Sequence, residues 1–252
     1  MSDFAGTWTE QTIEGHPADV YEPPEPCKEG FVVLFLHGVH VGRLIDNPVF
    51  CRSFDQHGLR VVSPITQRSW WTDKICPEFD EKVSAERFLL DAVVPWIEST
   101  WNAKPPQIGL LGTSMGGQGA LRLAFKYPRL FPVTAGISPA IDFQTVYNEY
   151  ETLPQMFSDP EAARQETATL YVRALDWPRN IFFCCDPADE KWHDSSERLR
   201  SKLRSLGVPH ECRMEISSGG HGWSYYNRLA PEAIDFVVER LKQEENRFDD
   251  GS

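Results

Sequence analysis

Strand-length apolar runs separated by amphipathic helical stretches predict an α/β fold: a mostly parallel central sheet flanked by helices, with a small helical insert. Six runs rich in Val, Ile, Leu and Phe, at 31–36, 59–64, 107–112, 131–137, 180–185 and 211–216, read as strands buried on both faces. Helical periodicity fills 81–100, 115–126, 195–206 and 225–244, between and after them, with apolar residues at three- and four-residue intervals. The 252 residues show no internal repeat and no break between two regions, so 1–252 are expected to form a single domain.

In chain order, TWTEQTIEG and ADVYEP alternate in polarity and suit an antiparallel hairpin at one sheet edge. The proline-rich turn at 21–30 then leads into FVVLFL, the first buried run. The run LRVVSP precedes the helix at 81–100, and QIGLLG passes at once into the helix at 115–126. Residues 142–177, after FPVTAGI, are too many for a structureless loop and are expected to form short helices, a small cap. NIFFCC, the helix at 195–206, ECRMEI and the helix at 225–244 complete the alternation, and 244–252 are expected to be a flexible, solvated tail.

Composition excludes several classes. With 41% hydrophobic and 25% charged residues the chain has the balance of a globular protein. Its longest apolar run, 31–36, falls far short of the roughly 18 residues that a spanning helix needs, so no membrane span is expected. The start, MSDFAGTWTEQ, has no basic segment followed by an apolar one, and the cytoplasm is the expected compartment. Six cysteines without a CxxC pair read as free thiols in a chain too large to need disulfides. A net charge of −12 repels phosphate, which argues against nucleic acid and anionic membranes as partners. The sequence specifies no oligomeric state.

The chemistry concentrates at Gly112-Thr113-Ser114-Met115-Gly116, which follows a strand and opens a helix. A strand that turns directly into a helix holds its central residue in a strained conformation, and the flanking glycines let the chain pass close enough to lift a serine hydroxyl clear of the sheet. A bare GxSxG is common by chance; this context makes it a nucleophile elbow rather than a serine that merely caps a helix, and it narrows the fold to the α/β-hydrolase type.

A serine hydroxyl needs a base to take its proton, and in this fold the order along the chain is Ser, acid, His. Of the histidines after Ser114, His193 lies near a helix start and His210 before a strand, whereas His221 lies in SSGGHGWS between the last strand and the last helix. His221 is the expected base. For the acid, Asp186 and Asp189 compete in CCDPADEKW. Asp189 is preferred, because Asp186 is nearly contiguous with the strand and precedes a proline suited to a turn.

An oxyanion needs two aligned donors. The Met115 N–H is one, and the loop His37-Gly38-Val39-His40 offers the other, from Val39 or, if the turn is one residue longer, from His40. His37 and His40 lack a clustered third ligand of the kind that zinc requires, and His37 is expected to be buried and hydrogen-bonded under the loop. No metal or cofactor is expected. Trp70 and Trp71, in SWWTD after LRVVSP, are candidates for a substrate wall together with His40 and Trp223; the alternative is that one of the two tryptophans packs under the loop. Cys184 and Cys185, on successive strand positions, should face opposite sides as core residues.

These residues carry a resemblance. From about residue 31 to 241 the chain resembles the esterase D-like branch of the α/β-hydrolases, which includes feruloyl and acetyl esterases and S-formylglutathione hydrolases. LHG resembles the opening of that branch's oxyanion loop, SWWTD its SWYTD-like loop, GTSMGGQGAL its GxSMGGxGAL elbow, and GGHGWSYYNRL its GGHDWxxW segment. In the branch's acid loop the aspartate stands seven residues before the serine of SER; that serine is Ser196 here, and 196 − 7 = 189, which implies Asp189. The chain departs from S-formylglutathione hydrolases where VHVGRLIDN and SPITQRSWW replace their LTCT-like and DTSPRG-like stretches, and Gly222 replaces the branch's aspartate after the histidine.

The resemblance implies a serine carboxylic-ester hydrolase acting through an acyl-enzyme on a small or short-acyl ester. Two alternatives use the same residues or the same fold: acyl transfer to an alcohol or sugar, and a binding protein without turnover.

Overall fold

The computed structural model describes residues 4–249. Two antiparallel strands, β1 (Thr7–Ile13) and β2 (His16–Glu22), lead to β3 (Val32–Leu36), helix α1 (Pro48–His57) and β4 (Arg60–Pro64). Helix α2 (Ala85–Phe88) then passes through a π-helical turn (Leu89–Val93) into α3 (Val94–Trp101). Next come β5 (Ile108–Thr113), α4 (Met115–Lys126) and β6 (Val133–Ile137). After them follow a 3₁₀ turn (Phe143–Val146) and three short helices, α5 (Thr152–Met156), α6 (Pro160–Arg164) and α7 (Ala168–Tyr171). Strand β7 (Asn180–Cys184), α8 (His193–Ser205), β8 (Glu211–Arg213) and α9 (Trp223–Asp249) complete the chain.

All these strands join one eight-stranded sheet in the order β1-β2-β4-β3-β5-β6-β7-β8. Pairing is antiparallel at β1–β2 and β2–β4 and parallel across the rest, as the expected edge hairpin and buried parallel runs require. Side-chain alternation explains why those runs are apolar throughout. On β3, Val32, Leu34 and Leu36 enter the core beneath α2 to α4, while Val33 and Phe35 enter the core beneath α1 and α9. Cys184 and Cys185 divide in the same way between the two cores.

Helix α1 is the element that the sequence reading did not anticipate. Its signals are local: Asn47 caps the start by accepting the N–H groups of Val49 (3.1 Å) and Phe50 (3.4 Å), Pro48 opens the helix, and Gly58 closes it at φ 62°. It packs against α9, with the Asn47 amide donating to Asn227 (2.8 Å) and His57 bonded to Asp235 (2.6 Å). The π turn before α3 has an equally local cause, since Pro95 has no N–H for the ladder and its ring would strike the carbonyl four residues back.

Helix α9 runs to Asp249, so 244–249 continue a helix where a flexible tail was expected; the last part of that expectation, 250–252, lies outside the described residues. In the insert at 142–177, the backbone N–H of Ala168 donates to the buried Gln118 on α4 (2.8 Å), and Glu166 pairs with the buried Arg122 of the same helix. The insert therefore lies along α4 and reaches the end of the sheet where β5 turns into α4 chiefly through Phe143 and Tyr150, which flank Trp70. No helix among the described residues is long and apolar enough to cross a membrane.

Candidate active site

Ser114 stands between β5 and α4 at φ 55° and ψ −120°, a conformation that costs a non-glycine residue on the order of 1–3 kcal/mol. Three hydrogen bonds hold it there: its N–H donates to Ile137 O (2.9 Å), and its carbonyl accepts from the N–H groups of Gln118 (3.0 Å) and Ala140 (3.0 Å). The flanking glycine at 116 is a matter of space, because a Cβ there would drive into the Leu36 carbonyl of the neighbouring strand. The turn is thus imposed by β3, β6 and α4 together.

The Ser114 hydroxyl lies 2.8 Å from Nε2 of His221, and Nδ1 of His221 lies 2.7 Å from Oδ2 of Asp189. With the Asp189 carboxylate oxygen as the acceptor, Nδ1 carries the ring proton and Nε2 presents its lone pair to the serine. Asp189 is almost wholly buried, and its other oxygen accepts the Trp192 N–H (3.2 Å), which fixes the carboxylate plane. Ser114 is 6% exposed and the His221 side chain 30%, and both line one cavity, so a substrate reaches the serine through that cavity.

Asp186 does a different job. Its carboxylate accepts N–H groups from Ser218 (2.6 Å) and Gly220 (2.9 Å) in the loop that carries His221, and from Ala188 (2.8 Å) in its own turn. Burial pushes this carboxyl up, but the donors outweigh it and hold its pKa below the ordinary aspartate value. Gly220 reaches this clamp at φ 73°, where a side chain would be strained.

The backbone of Gly38 passes directly over the serine: a Cβ on it would stand 3.3 Å from the Ser114 Cβ and 3.9 Å from the hydroxyl oxygen. The next turn closes through the Val41 N–H on Gly38 O (2.9 Å), and Val39 and His40 both line the cavity above the serine. Met115 begins α4, so its N–H has no intrahelical carbonyl to meet. His37 is buried, as anticipated: Nε2 accepts the Thr66 N–H (3.1 Å) and Nδ1 donates to Gly38 O (2.8 Å). Both ring nitrogens are therefore engaged, and burial lowers the His37 pKa to about 4.

Ser114 and His221 open into a cavity of about 210 Å³ walled mainly by Trp70, Ala140, Tyr150, Trp192, Trp223 and Tyr226. Of the expected wall residues, His40, Trp70 and Trp223 are placed there and Trp71 is not. Trp71 points inward, edge-on to His37 (ring centroids 5.1 Å), with its indole N–H on the His37 carbonyl (3.1 Å), so it supports the loop over the serine from behind. The separation is physical: both residues have φ near 50°, and two successive left-handed residues send neighbouring side chains in different directions. Sequence reasoning missed Tyr150, Trp192 and Tyr226. Tyr226 had a usable signal, since it stands one helical turn beyond Gly222 at the start of α9, and its N–H bonds the Gly222 carbonyl (3.0 Å).

An eight-stranded, mostly parallel sheet in this order, with the Ser114 turn after β5, the Asp189 loop after β7 and the His221 loop after β8, is an α/β-hydrolase. The chain belongs to the Esterase family, described as "Putative esterase", whose model matches residues 18–250. It is similar to an esterase of Mycobacterium tuberculosis, 28% identical over 239 residues, covering 75% of this chain and 51% of that protein. A shorter stretch is similar to a diacylglycerol acyltransferase/mycolyltransferase of Mycobacterium avium, 31% identical over 99 residues, 37% of this chain and 28% of the other. The chain thus spans about half or less of the length of these relatives. Among solved structures it is similar in fold to an S-formylglutathione hydrolase from Agrobacterium tumefaciens, with a TM-score of 0.75 at 19% identity, over 94% of this chain and 96% of that one.

Proposed function

We propose that the protein is a serine carboxylic-ester hydrolase in which Ser114 is the nucleophile, His221 the general base and acid, and Asp189 the residue that orients the imidazole. The observation that carries this reading is the unbroken line from Ser114 through His221 to Asp189, with contacts of 2.8 and 2.7 Å, at the floor of a cavity. Membership of the esterase family supports the same reaction class.

In the first half-reaction the Ser114 oxygen attacks the ester carbonyl carbon while its proton passes to Nε2 of His221. The carbonyl oxygen gains the negative charge and takes hydrogen bonds from the Met115 and Val39 N–H groups, the latter supported by the passage of Gly38 over the serine. The C–O bond to the alcohol breaks, and the His221 proton leaves with that alcohol. Water then repeats the sequence on the acyl-serine, and the acid departs. The cavity of about 210 Å³, walled by aromatic rings, favours a small or short acyl group. Six unbridged cysteines support the cytoplasm as the working compartment.

The test is hydrolysis of nitrophenyl esters, acetate through octanoate, by the wild type and Ser114→Ala side by side, with fluorophosphonate labelling of both. Turnover and labelling by the wild type alone are expected. A wild type that is labelled at Ser114 but inert on every ester would overturn the substrate class, and absence of labelling would overturn the nucleophile.

A further inference from the structure

Tyr226 is the one hydroxyl-bearing side chain of α9 that lines the cavity with Ser114 and His221. Its ring meets the His221 ring edge-on, with centroids 5.5 Å apart and planes at 89°, and it packs against Trp223 at 5.5 Å. It shares the cavity lining with Ser114, whose side chain is a hydrogen-bonding neighbour of the phenol. The residue is 7% exposed, and the Gly222 carbonyl holds its backbone, so the phenol is fixed in place before any substrate arrives. Burial raises its pKa well above the ordinary tyrosine value, which keeps it a neutral donor throughout the pH range in which an esterase works.

Resting on the esterase reading above, we propose that Tyr226 is a further catalytic residue whose O–H donates a hydrogen bond to the Ser114 oxygen when that oxygen carries charge. The serine oxygen has two lone pairs and one proton. The proton is directed at Nε2 of His221, which leaves a lone pair for the phenol.

The donor acts most strongly in deacylation. Water attacks the acyl carbon and gives a proton to Nε2 of His221. The tetrahedral intermediate then collapses: the bond from carbon to the Ser114 oxygen breaks, its electron pair goes to that oxygen, and the His221 proton follows. The Tyr226 O–H holds the transient charge without giving up its own proton, so atoms and charge balance with no further reactant. In acylation the same bond assists in the reverse sense, while the oxygen is losing its proton, but the neutral Ser114 hydroxyl is already a better acceptor than the ester oxygen of the acyl-serine, so less is gained on reaching the transition state. Removing the phenol should therefore slow release of the acyl group more than its uptake.

The test is Tyr226→Phe, which deletes the hydroxyl and keeps the ring against His221 and Trp223. Stopped-flow hydrolysis of nitrophenyl acetate by enzyme counted through fluorophosphonate labelling separates the two half-reactions. A loss of roughly 10- to 100-fold in the deacylation rate is expected, the value of one hydrogen bond to a charged group, with a smaller loss in acylation and a growing nitrophenol burst. Should the Phe variant fail to fold, Tyr226→Met fills the space with a flexible side chain, lacks the hydroxyl and is read in the same way. Deacylation within twofold of the wild type, or a change in KM alone, would overturn the proposal and leave Tyr226 a wall of the cavity. A wild type that is neither labelled nor active would instead remove the esterase reading on which the proposal rests.

Discussion

Asp186 and Asp189, joined by one turn in which the Asp189 N–H donates to the Asp186 carbonyl (2.9 Å), grip the His221 loop at two different points. Asp189 takes the imidazole Nδ1, and Asp186 takes the backbone N–H groups of Ser218 and Gly220. One carboxylate sets the ring's tautomer and the other sets the height of the loop.

The two substitutions to Asn should therefore separate. Asp189→Asn offers an amide where the imidazole needs an acceptor, and kcat should fall by about 10⁴, as it does when the wrong tautomer is favoured in other serine hydrolases. Asp186→Asn keeps one acceptor oxygen and loses its charge, so the loop loosens, kcat falls by roughly 10- to 100-fold and the Tm drops. Steady-state kinetics with calorimetry on both variants checks this. A larger kcat loss for Asp186→Asn would reverse the roles.

At Ser114 activity and stability should move in opposite directions. Ser114→Ala and Ser114→Gly should each remove turnover by about 10⁶, by analogy with other serine hydrolases. Only glycine relieves the backbone at φ 55°. That relief is about 1–3 kcal/mol, against about 0.4–1 kcal/mol for the extra freedom of glycine in the unfolded chain. Ser114→Gly should therefore be the more stable of the two by about 1 kcal/mol, read as denaturant midpoints. Equal midpoints would mean that the elbow stores no strain.

Much of this site is legible in the sequence because its chemistry sits on short contiguous signals. The elbow needs glycine at 116 because Leu36 O occupies the space a side chain would fill, so the motif is a record of packing as well as of chemistry. His221 is readable from its place between the last strand and the last helix. Helix α1 was missed because its apolar residues Phe50, Cys51 and Phe54 are few, and its identity rests on the Asn47 and Gly58 caps. Which of the two tryptophans packs under the loop could not be read, because adjacent tryptophans look alike until the backbone angles are known. The clamp role of Asp186 could not be read at all, since it depends on where the backbone of a loop some thirty residues later comes to rest.

Buried His37 makes stability depend on pH. Its folded pKa of about 4 lies below the ordinary 6.5, so between those values the unfolded chain binds the proton and the folded one does not. Stability is whole above about pH 6.5 and falls as pH drops toward 4, by roughly 3 kcal/mol in total. Calorimetry at pH 7.5, 6 and 5 should show the Tm falling, and His37→Gln should be less stable at pH 7.5 yet flatter across this range. A wild-type Tm that stays level from pH 7.5 to 5 would show that some other group compensates the proton.

The two tryptophans should separate by the shape of the substrate profile rather than by stability, because both are buried and either substitution leaves a void. Trp70 stacks on Phe143 (4.9 Å) and faces the cavity, so Trp70→Leu enlarges the space beyond Ser114. The preferred nitrophenyl ester should move to a longer acyl chain, with kcat/KM for acetate falling and that for octanoate rising. Trp71 touches no cavity surface, and its indole N–H holds the His37 carbonyl beneath the turn that carries Val39. Trp71→Leu should therefore depress kcat for every ester by a similar factor, on the order of tenfold, because a displaced donor over the serine weakens the transition state whatever acyl group is bound. If Trp71→Leu changed the chain-length preference and Trp70→Leu did not, the wall and the support would have to be exchanged.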